Sequence, residues 1–361
     1  MIFLINSTSS PPPYHLWVPF YIFNGHEYRN PIIAFLICLE FILSLFCVFI
    51  TIKLTIYIWK IRVFHVNMST LAIAYISQYL ECFVGKTVLT LHQNGFYHVP
   101  GVPADRKYTN WWTDDCDEIP VLGASADAFP LFFGGFLIWH YMYSMVGIAF
   151  SFCVERMLAT VLSGNYEQLN RTYISLLILA TSHTSTLYLS YQTFYEHVQM
   201  VPTVIACMVC LIISCLMFVV TLLMNQKINK LQTTNSRHFY TLAYRFQVKE
   251  NIKALKLAQR VILCIAFYVF LNLILLSTVF FNVFEHFNEP LIFLLENCIY
   301  LNPLLICPIV FYSIDPWRKA LLRELPVLKV FGRSEKPPES GHHQTSDLYF
   351  TQLQTSWRKS S

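Results

Sequence analysis

The sequence predicts an all-α fold: an integral membrane bundle of seven transmembrane helices, N-terminus outside, with a short amphipathic helix after the seventh span. Three observations carry that prediction. Of 361 residues, 55% are hydrophobic and only 13% charged, against roughly 25% charged in a soluble domain. Seven stretches can cross a bilayer core, which takes about 20 mostly apolar residues of helix. They run over about 32–58, 66–91, 128–154, 172–195, 201–224, 261–284 and 291–314. Finally, twenty of the 25 lysines and arginines fall on one side of those stretches and three on the other, and positive residues collect on the cytoplasmic side. The net charge of +4 says little as a total, and no nucleic-acid partner is expected.

Residues 1–31 form an extracellular N-terminal segment in this reading. Met1 to Ser10 hold one short apolar patch and no basic residue, too little for a cleavable signal peptide, so the first span is expected to direct insertion. Asn6 opens an N-x-S/T sequon and is a candidate glycosylation site; the sequons at Asn67 and Asn170 fall at cytoplasmic helix edges.

The seven spans, residues 32–314, hold only five charged residues: Glu40, Lys53, Glu81, Lys86 and Glu296. The fourth span is the least apolar, being rich in serine and threonine, which suit contacts with neighbouring helices. The first outside loop, 92–127, is long, with Asp114, Asp115, Asp117 and Glu118 beside Trp111 and Trp112. The second outside loop is short, and the third inside loop, 225–260, is the largest cytoplasmic one. Residues 315–361 form a cytoplasmic tail. Trp317, Leu321, Leu322 and Leu325 are expected to face the membrane, and the chain is expected to be disordered after about 331.

Ten of the eleven cysteines lie in apolar runs, where a free thiol behaves as a small hydrophobe. Only Cys116 sits in a polar loop. Cys207 and Cys210 form a C-x-x-C without a second pair at zinc-site spacing, so no metal is expected.

Several residues have the chemistry of a signalling device. Glu155-Arg156 stands at the cytoplasmic end of the third span. A carboxylate there can hold the guanidinium at rest and release it to other helices or to a heterotrimeric G protein; the plainer alternative is a positive-inside anchor. Lys249, Lys253, Lys256 and Arg260 follow at spacings of four, three and four, one face of a helix. The sixth helix therefore extends into the cytosol with a basic face for a G protein or anionic lipid. Asn302-Pro303 in the seventh span predicts a kink, since proline opens the hydrogen-bond ladder and asparagine can satisfy a freed group.

Three carboxylates lie at depth. At 1.5 Å per residue, Glu296, Glu40 and Glu81 fall roughly 8, 12 and 15 Å below the outer ends of their helices, with Lys86 on the same side. Such groups face a bundle interior. Together they make either a polar ligand pocket or a structural cluster in which Lys86 pairs with one glutamate. His140 and His183 sit mid-membrane singly, as polar packing.

The segments Glu155-Arg156-Met157-Leu158-Ala159-Thr160, Tyr166-Glu167 and Arg245-Phe246-Gln247-Val248-Lys249-Glu250-Asn251 resemble the nematode serpentine receptor class epsilon (Sre) family of seven-helix chemoreceptors. The resemblance covers about residues 20 to 330. It implies a chemosensory G protein-coupled receptor for an unknown small molecule, in the plasma membrane or cilia of sensory neurons. The chain departs from rhodopsin-like receptors: the sixth span has no Cys-Trp-x-Pro, Asn302-Pro303 lacks the following tyrosine, and no second-loop cysteine can pair with Cys116. No lysine lies in the seventh span, which excludes a retinal Schiff base there, and no cofactor is expected. The competing readings are a transporter, which lacks repeated halves here, and a ligand-gated channel of inverted topology, which the charge count opposes. An intramembrane enzyme is disfavoured because no span holds an aspartate or a His-x-x-x-His site, and no catalytic Ser-His arrangement is evident.

Overall fold

A computed structural model describes residues 2–6, 12–19, 30–61, 63–99, 119–162, 172–234, 242–284 and 287–324. The chain divides into two compact units, Met1–Trp317 and Arg318–Ser361. The first is a helical bundle: α1 Pro31–Lys60, α2 Val66–Ser77, α3 Tyr79–Gln93, α4 Phe129–Val161, α5 Thr172–Phe194, α6 Met200–Thr234, α7 Leu242–Phe280, α8 Asn288–Tyr300 and α9 Pro303–Ser313. A tenth helix, α10, runs Asp315–Glu324, and its residues 318–324 are what is described of the second unit.

Among the described residues, five helical segments are long and apolar enough to cross a membrane: Pro31–Lys60, Phe129–Val161, Val201–Ile228, Leu263–Phe280 and Pro290–Ser313. The chain is a multi-pass membrane protein. Seven spans were expected, and the two that fall short among the described residues do so for separate reasons. The second is broken at Gln78, where the ladder tightens to an i→i+3 bond from Glu81 N to Gln78 O, while Ser77 Oγ bonds back to Ala74 O and competes with the backbone. The fourth, α5, is long enough but is diluted by hydroxyl residues.

Helix α4 is the axis of the bundle and packs on α2, α3, α5, α6 and α7. In its most apolar stretch 56% of residues are buried, against 17% for α1, α6 and α7. Those three instead present large apolar side chains outward, Ile32, Phe35, Leu216, Leu223, Leu263 and Phe267 among them. Exposed apolar faces of this size require a lipid or protein cover. Close backbone approach sets the α3–α4 crossing: a Cβ on Gly85 would lie 2.9 Å from the Gly134 carbonyl oxygen, the small-residue contact by which membrane helices pack.

The all-α expectation is incomplete. Strands β1 Ile2–Ile5, β2 Tyr14–Trp17 and β3 Val121–Leu122 form a sheet in the order β2-β1-β3. β1 pairs antiparallel with β2 (Ile2 opposite Trp17) and parallel with β3 (Leu4 opposite Val121). Strands of four, four and two residues are too short to display an alternating pattern, and the β1–β3 pairing joins distant parts of the chain. Phe3 and Ile5 are fully buried, and Phe3 meets Phe132 of α4 edge-on at 5.4 Å.

A second correction concerns Trp317. It does not face the membrane: it is 3% exposed, meets Phe64 edge-on and donates its indole N–H to Ile61 O at 3.0 Å. That carbonyl lies at the open end of α1, where a helix leaves acceptors without partners, and a buried indole requires one.

Candidate functional site

The sheet defines one end of the bundle. Trp17 and Val18 descend from β2 onto α4: Trp139 Nε1 donates to Trp17 O at 2.9 Å, and the two indoles meet edge-on at 5.0 Å. Val18 occupies the notch left by Gly135, where a Cβ would come within 2.9 Å of it. His15 pairs with Glu196 at 2.7 Å. Glu196 ends α5 at φ +56°, the left-handed cap that lets the short α5–α6 link turn back.

Below this plug lies an apolar cavity of about 130 Å³ walled by α4, α6, α7 and α8. Trp139, Tyr143, Cys207, Tyr268, Asn272 and Ile299 are among its lining residues. Its volume is on the order of that which takes a benzene-sized group. The reading of the sequence missed this cavity, because its walls are ordinary apolar positions on four separate helices.

The four charged residues singled out as a possible ligand pocket do not line the cavity. Three of them meet. Lys86 Nζ on α3 stands 3.1 Å from Glu40 on α1 and donates to Glu296 on α8 at 3.2 Å, above the Tyr300 ring at 4.5 Å. All three are buried, at 5–8% exposure. Burying charge is tolerable only with such pairing, so the cluster ties three helices together. Glu81 is elsewhere, held by His140 Nδ1 at 2.7 Å and by Gln78 Nε2 at 3.3 Å. His140 and His183 are not single: their rings meet at 3.4 Å. Tyr75 continues the network to Ser151 and Ser182 at 2.6 and 2.7 Å.

The seventh stretch divides at Asn302 and Pro303 into α8 and α9. The asparagine amide does not repair the backbone, however. Asn302 Nδ2 donates to the Tyr141 hydroxyl of α4 at 2.5 Å, so the kink is anchored on the central helix.

At the end opposite the sheet, Glu155 and Arg156 form a bidentate pair: Nε to Oε2 at 2.5 Å and Nη2 to Oε1 at 2.6 Å. Glu155 is fully buried and Arg156 is 4% exposed. Their neighbourhood is polar. Thr160 Oγ1 donates to Arg156 O and accepts from Asn225 of α6 at 2.7 Å. His65, which caps α2 by accepting from Asn67 N, is close enough to feel both charges: burial lowers its pKa, Arg156 lowers it further, and Glu155 opposes. Asn67 is fully buried and accepts from Ser175, so its sequon serves packing.

Helix α7 begins at Leu242, well before the expected span at 261, and its inner half packs Leu255 against Cys153 and Phe218. Lys249, Lys253, Lys256 and Arg260 lie on this helix, but their side chains are outside the described residues, as are Cys116, Asn170 and the tail from 325. The ten cysteines among the described residues are all free thiols. Asn6 is exposed just after β1.

Known proteins share this sequence over its whole length. The Sre G protein-coupled chemoreceptor family matches residues 1–358. Serpentine receptor class epsilon-38 of Caenorhabditis elegans is 31% identical over 360 residues, covering 95% of this chain and 97% of its own length. Serpentine receptors class epsilon-37 and epsilon-27 of the same organism are 26% and 27% identical, each alignment covering 99% of this chain. A full-length family match and a relative above 30% identity agree with the helical membrane bundle: the chain belongs to the Sre family of G protein-coupled chemoreceptors.

Proposed function

We propose that this chemoreceptor crosses the membrane seven times with its N-terminus outside, counting α2–α3 and α8–α9 as one crossing each. In this reading it binds a small molecule in the cavity between α4, α6, α7 and α8 and activates a heterotrimeric G protein at the opposite end. It acts in the plasma membrane of sensory neurons, including their cilia. The buried Glu155–Arg156 pair carries the reading. It sits on the central helix, at the end remote from the sheet and cavity, and couples through Thr160 and Asn225 to α6. A guanidinium held by its chain neighbour can be released without parting two helices. The same reading assigns the basic sequence of early α7, with Lys249, Lys253 and Lys256, to contact with the G protein. The Lys86 cluster serves as a staple among α1, α3 and α8.

Arg156→Ala is expected to abolish stimulus-driven signalling in cells carrying a calcium or cyclic-nucleotide reporter, while surface expression persists. Undiminished signalling would remove the switch. Topology is tested by terminal tags: antibody should reach an N-terminal tag on intact cells and a C-terminal tag only after permeabilisation, and the reverse pattern overturns the orientation. Asn6→Gln should abolish a glycosidase-sensitive mass shift if Asn6 is the glycosylated residue.

A further inference from the structure

Helices α5 and α6 both pack on α4 but diverge from each other. The gap is a crevice of about 550 Å³ whose floor is α4. Its depth shows on Phe150, which is 40% exposed although α4 is the most buried long helix. Both walls also face outward: Leu189 of α5 is 44% exposed and Ile205 of α6 57%.

The lining holds no Asp, Glu, Lys, Arg or His, so it suits a neutral molecule. One wall is a row of hydroxyls from α5, which accounts for the serine and threonine content of that span. Three of them commit their protons to the helix backbone, while Ser182 Oγ accepts from Tyr75 and Ser151 and Thr193 Oγ1 shares a hydrogen bond with Tyr143. Thr181 Oγ1 donates to Leu177 O at 2.8 Å, Ser185 Oγ to Thr181 O at 2.8 Å and Thr186 Oγ1 to His183 O at 3.1 Å. Across the crevice, Thr203 Oγ1 donates to Gln199 O at 2.9 Å. A hydroxyl in that state keeps lone pairs and has no proton to give. The wall therefore offers acceptors in an apolar setting. A lipid acyl chain has nothing to donate to them, but an apolar molecule with an O–H or N–H does. The crevice and the cavity share Tyr143, Val146, Thr203 and Cys207 as a common wall.

We propose that the α5–α6 crevice is a binding site for a neutral amphiphile, an apolar body bearing a hydroxyl or amide donor, taken up sideways from the bilayer. This deepens the receptor reading above and rests on it for the meaning of the ligand. The test uses the full-length protein in lipid nanodiscs with two photoreactive probes of equal length, a diazirine derivative of decan-1-ol and the corresponding diazirine alkane. Cross-links are located by mass spectrometry. The alcohol should label residues 178–189 and 202–210 saturably, be displaced by excess decan-1-ol, and exceed the alkane there on the order of 3- to 10-fold, the value of a hydrogen bond. A Thr181→Ala/Ser185→Ala double variant, which loses two acceptors and little volume, should erase that preference. Ser185→Trp should fill the crevice and abolish labelling there, with labelling of the outward face of α1 retained as the measure of folding. Equal, unsaturable labelling by both probes would make the crevice a lipid-filled gap and overturn the proposal. So would protection from labelling that appears only when two copies share a nanodisc, since a second chain would then be the occupant. The readout needs no G protein, so its failure leaves the receptor reading standing. Saturable labelling together with Arg156-independent signalling would instead sink the switch alone.

Discussion

The charge cluster at Lys86 and the one at Glu155 are comparably dry, but they are assembled from different parts of the chain. Lys86 draws its partners from α1 and α8, and its bond to Glu296 spans 210 positions. Arg156 draws its partner from the adjacent residue. The sequence separation decides what each can do. Opening the first cluster leaves charge stranded between three helices that it had joined. Opening the second leaves both residues on one helix, so the event can be local and reversible. In the receptor reading proposed above, a bundle that holds one half still while its other end responds needs one cluster of each kind.

The strongest way to break that comparison is Lys86→Met. It leaves Glu40 and Glu296 buried without their cation, and breaking a buried pair costs about 3–5 kcal/mol. The unfolding temperature of the purified protein in detergent should fall accordingly. The triple variant Lys86→Met/Glu40→Gln/Glu296→Gln should recover most of the loss, since a buried ionic cluster can be replaced at little net cost when all its charges go together. A single variant as stable as the parent would show that the cluster joins nothing.

Glu155→Gln sharpens the other side. The amide keeps an acceptor for Arg156 but removes the charge, forfeiting a charge-assisted hydrogen bond of about 1.5–3 kcal/mol. Because both partners share α4, the expected result is a smaller loss of stability than at Lys86, together with raised ligand-independent nucleotide exchange on a reconstituted G protein. A loss as large as that of Lys86→Met, with no change in exchange, would erase the distinction.

Gly85 tests the frame in which Lys86 is held. In Gly85→Val the added Cβ meets the Gly134 carbonyl, a backbone atom that cannot turn aside, and overpacking costs about 1–3 kcal/mol. Gly147→Ala, on the α4–α5 contact, is the control, as its Cβ would find Ser182 Oγ at a comfortable 3.6 Å. Equal unfolding temperatures for the two variants would mean that the α3–α4 crossing does not depend on close approach.

How much of this was legible in the sequence follows from how local each signal is. Glu155-Arg156 and Asn302-Pro303 are chain neighbours, so their pairing and the kink could be read directly. The long apolar spans announce themselves by composition. Lys86 could be matched to a glutamate by charge, but not to both Glu40 and Glu296, because nothing in the linear pattern states which helix faces align. For the same reason depth alone groups Glu81 with Lys86, although its partner is His140, and reads His140 and His183 as single residues although they meet. The sheet was invisible because a two-residue strand at Val121–Leu122 has no periodicity. The Gly134-Gly135 pair was the available clue to it: one glycine admits α3 and the next admits Val18. Likewise the hydroxyls of α5 weakened its signal as a span while marking the wall of a crevice.

The smallest expected effect separates the two clusters by their access to solution. The Lys86 cluster is enclosed, whereas the Glu155–Arg156 pair has His65 beside it, outside the spans. Burial and the Arg156 charge hold the His65 pKa below its ordinary value of 6.5, with Glu155 partly offsetting them. A depressed histidine pKa means that the unfolded chain takes up the proton first as pH falls. The stabilising contribution of neutral His65 is therefore complete above about pH 6.5 and is lost as pH drops through the folded value. Protonation also removes the Nδ1 lone pair that accepts from Asn67 N, a helix cap worth about 1 kcal/mol or less here. Unfolding temperature should decline between pH 7.5 and pH 5.5 in the parent and decline less in His65→Asn, which keeps a capping acceptor and cannot titrate. If Glu155→Gln is added, the pair no longer offsets Arg156 at position 65, and the parent's decline should steepen further. Identical pH profiles for all three proteins would show that the Glu155–Arg156 pair is as sealed from solution as the Lys86 cluster, and the contrast between a fixed end and a responsive end would then rest on sequence separation alone.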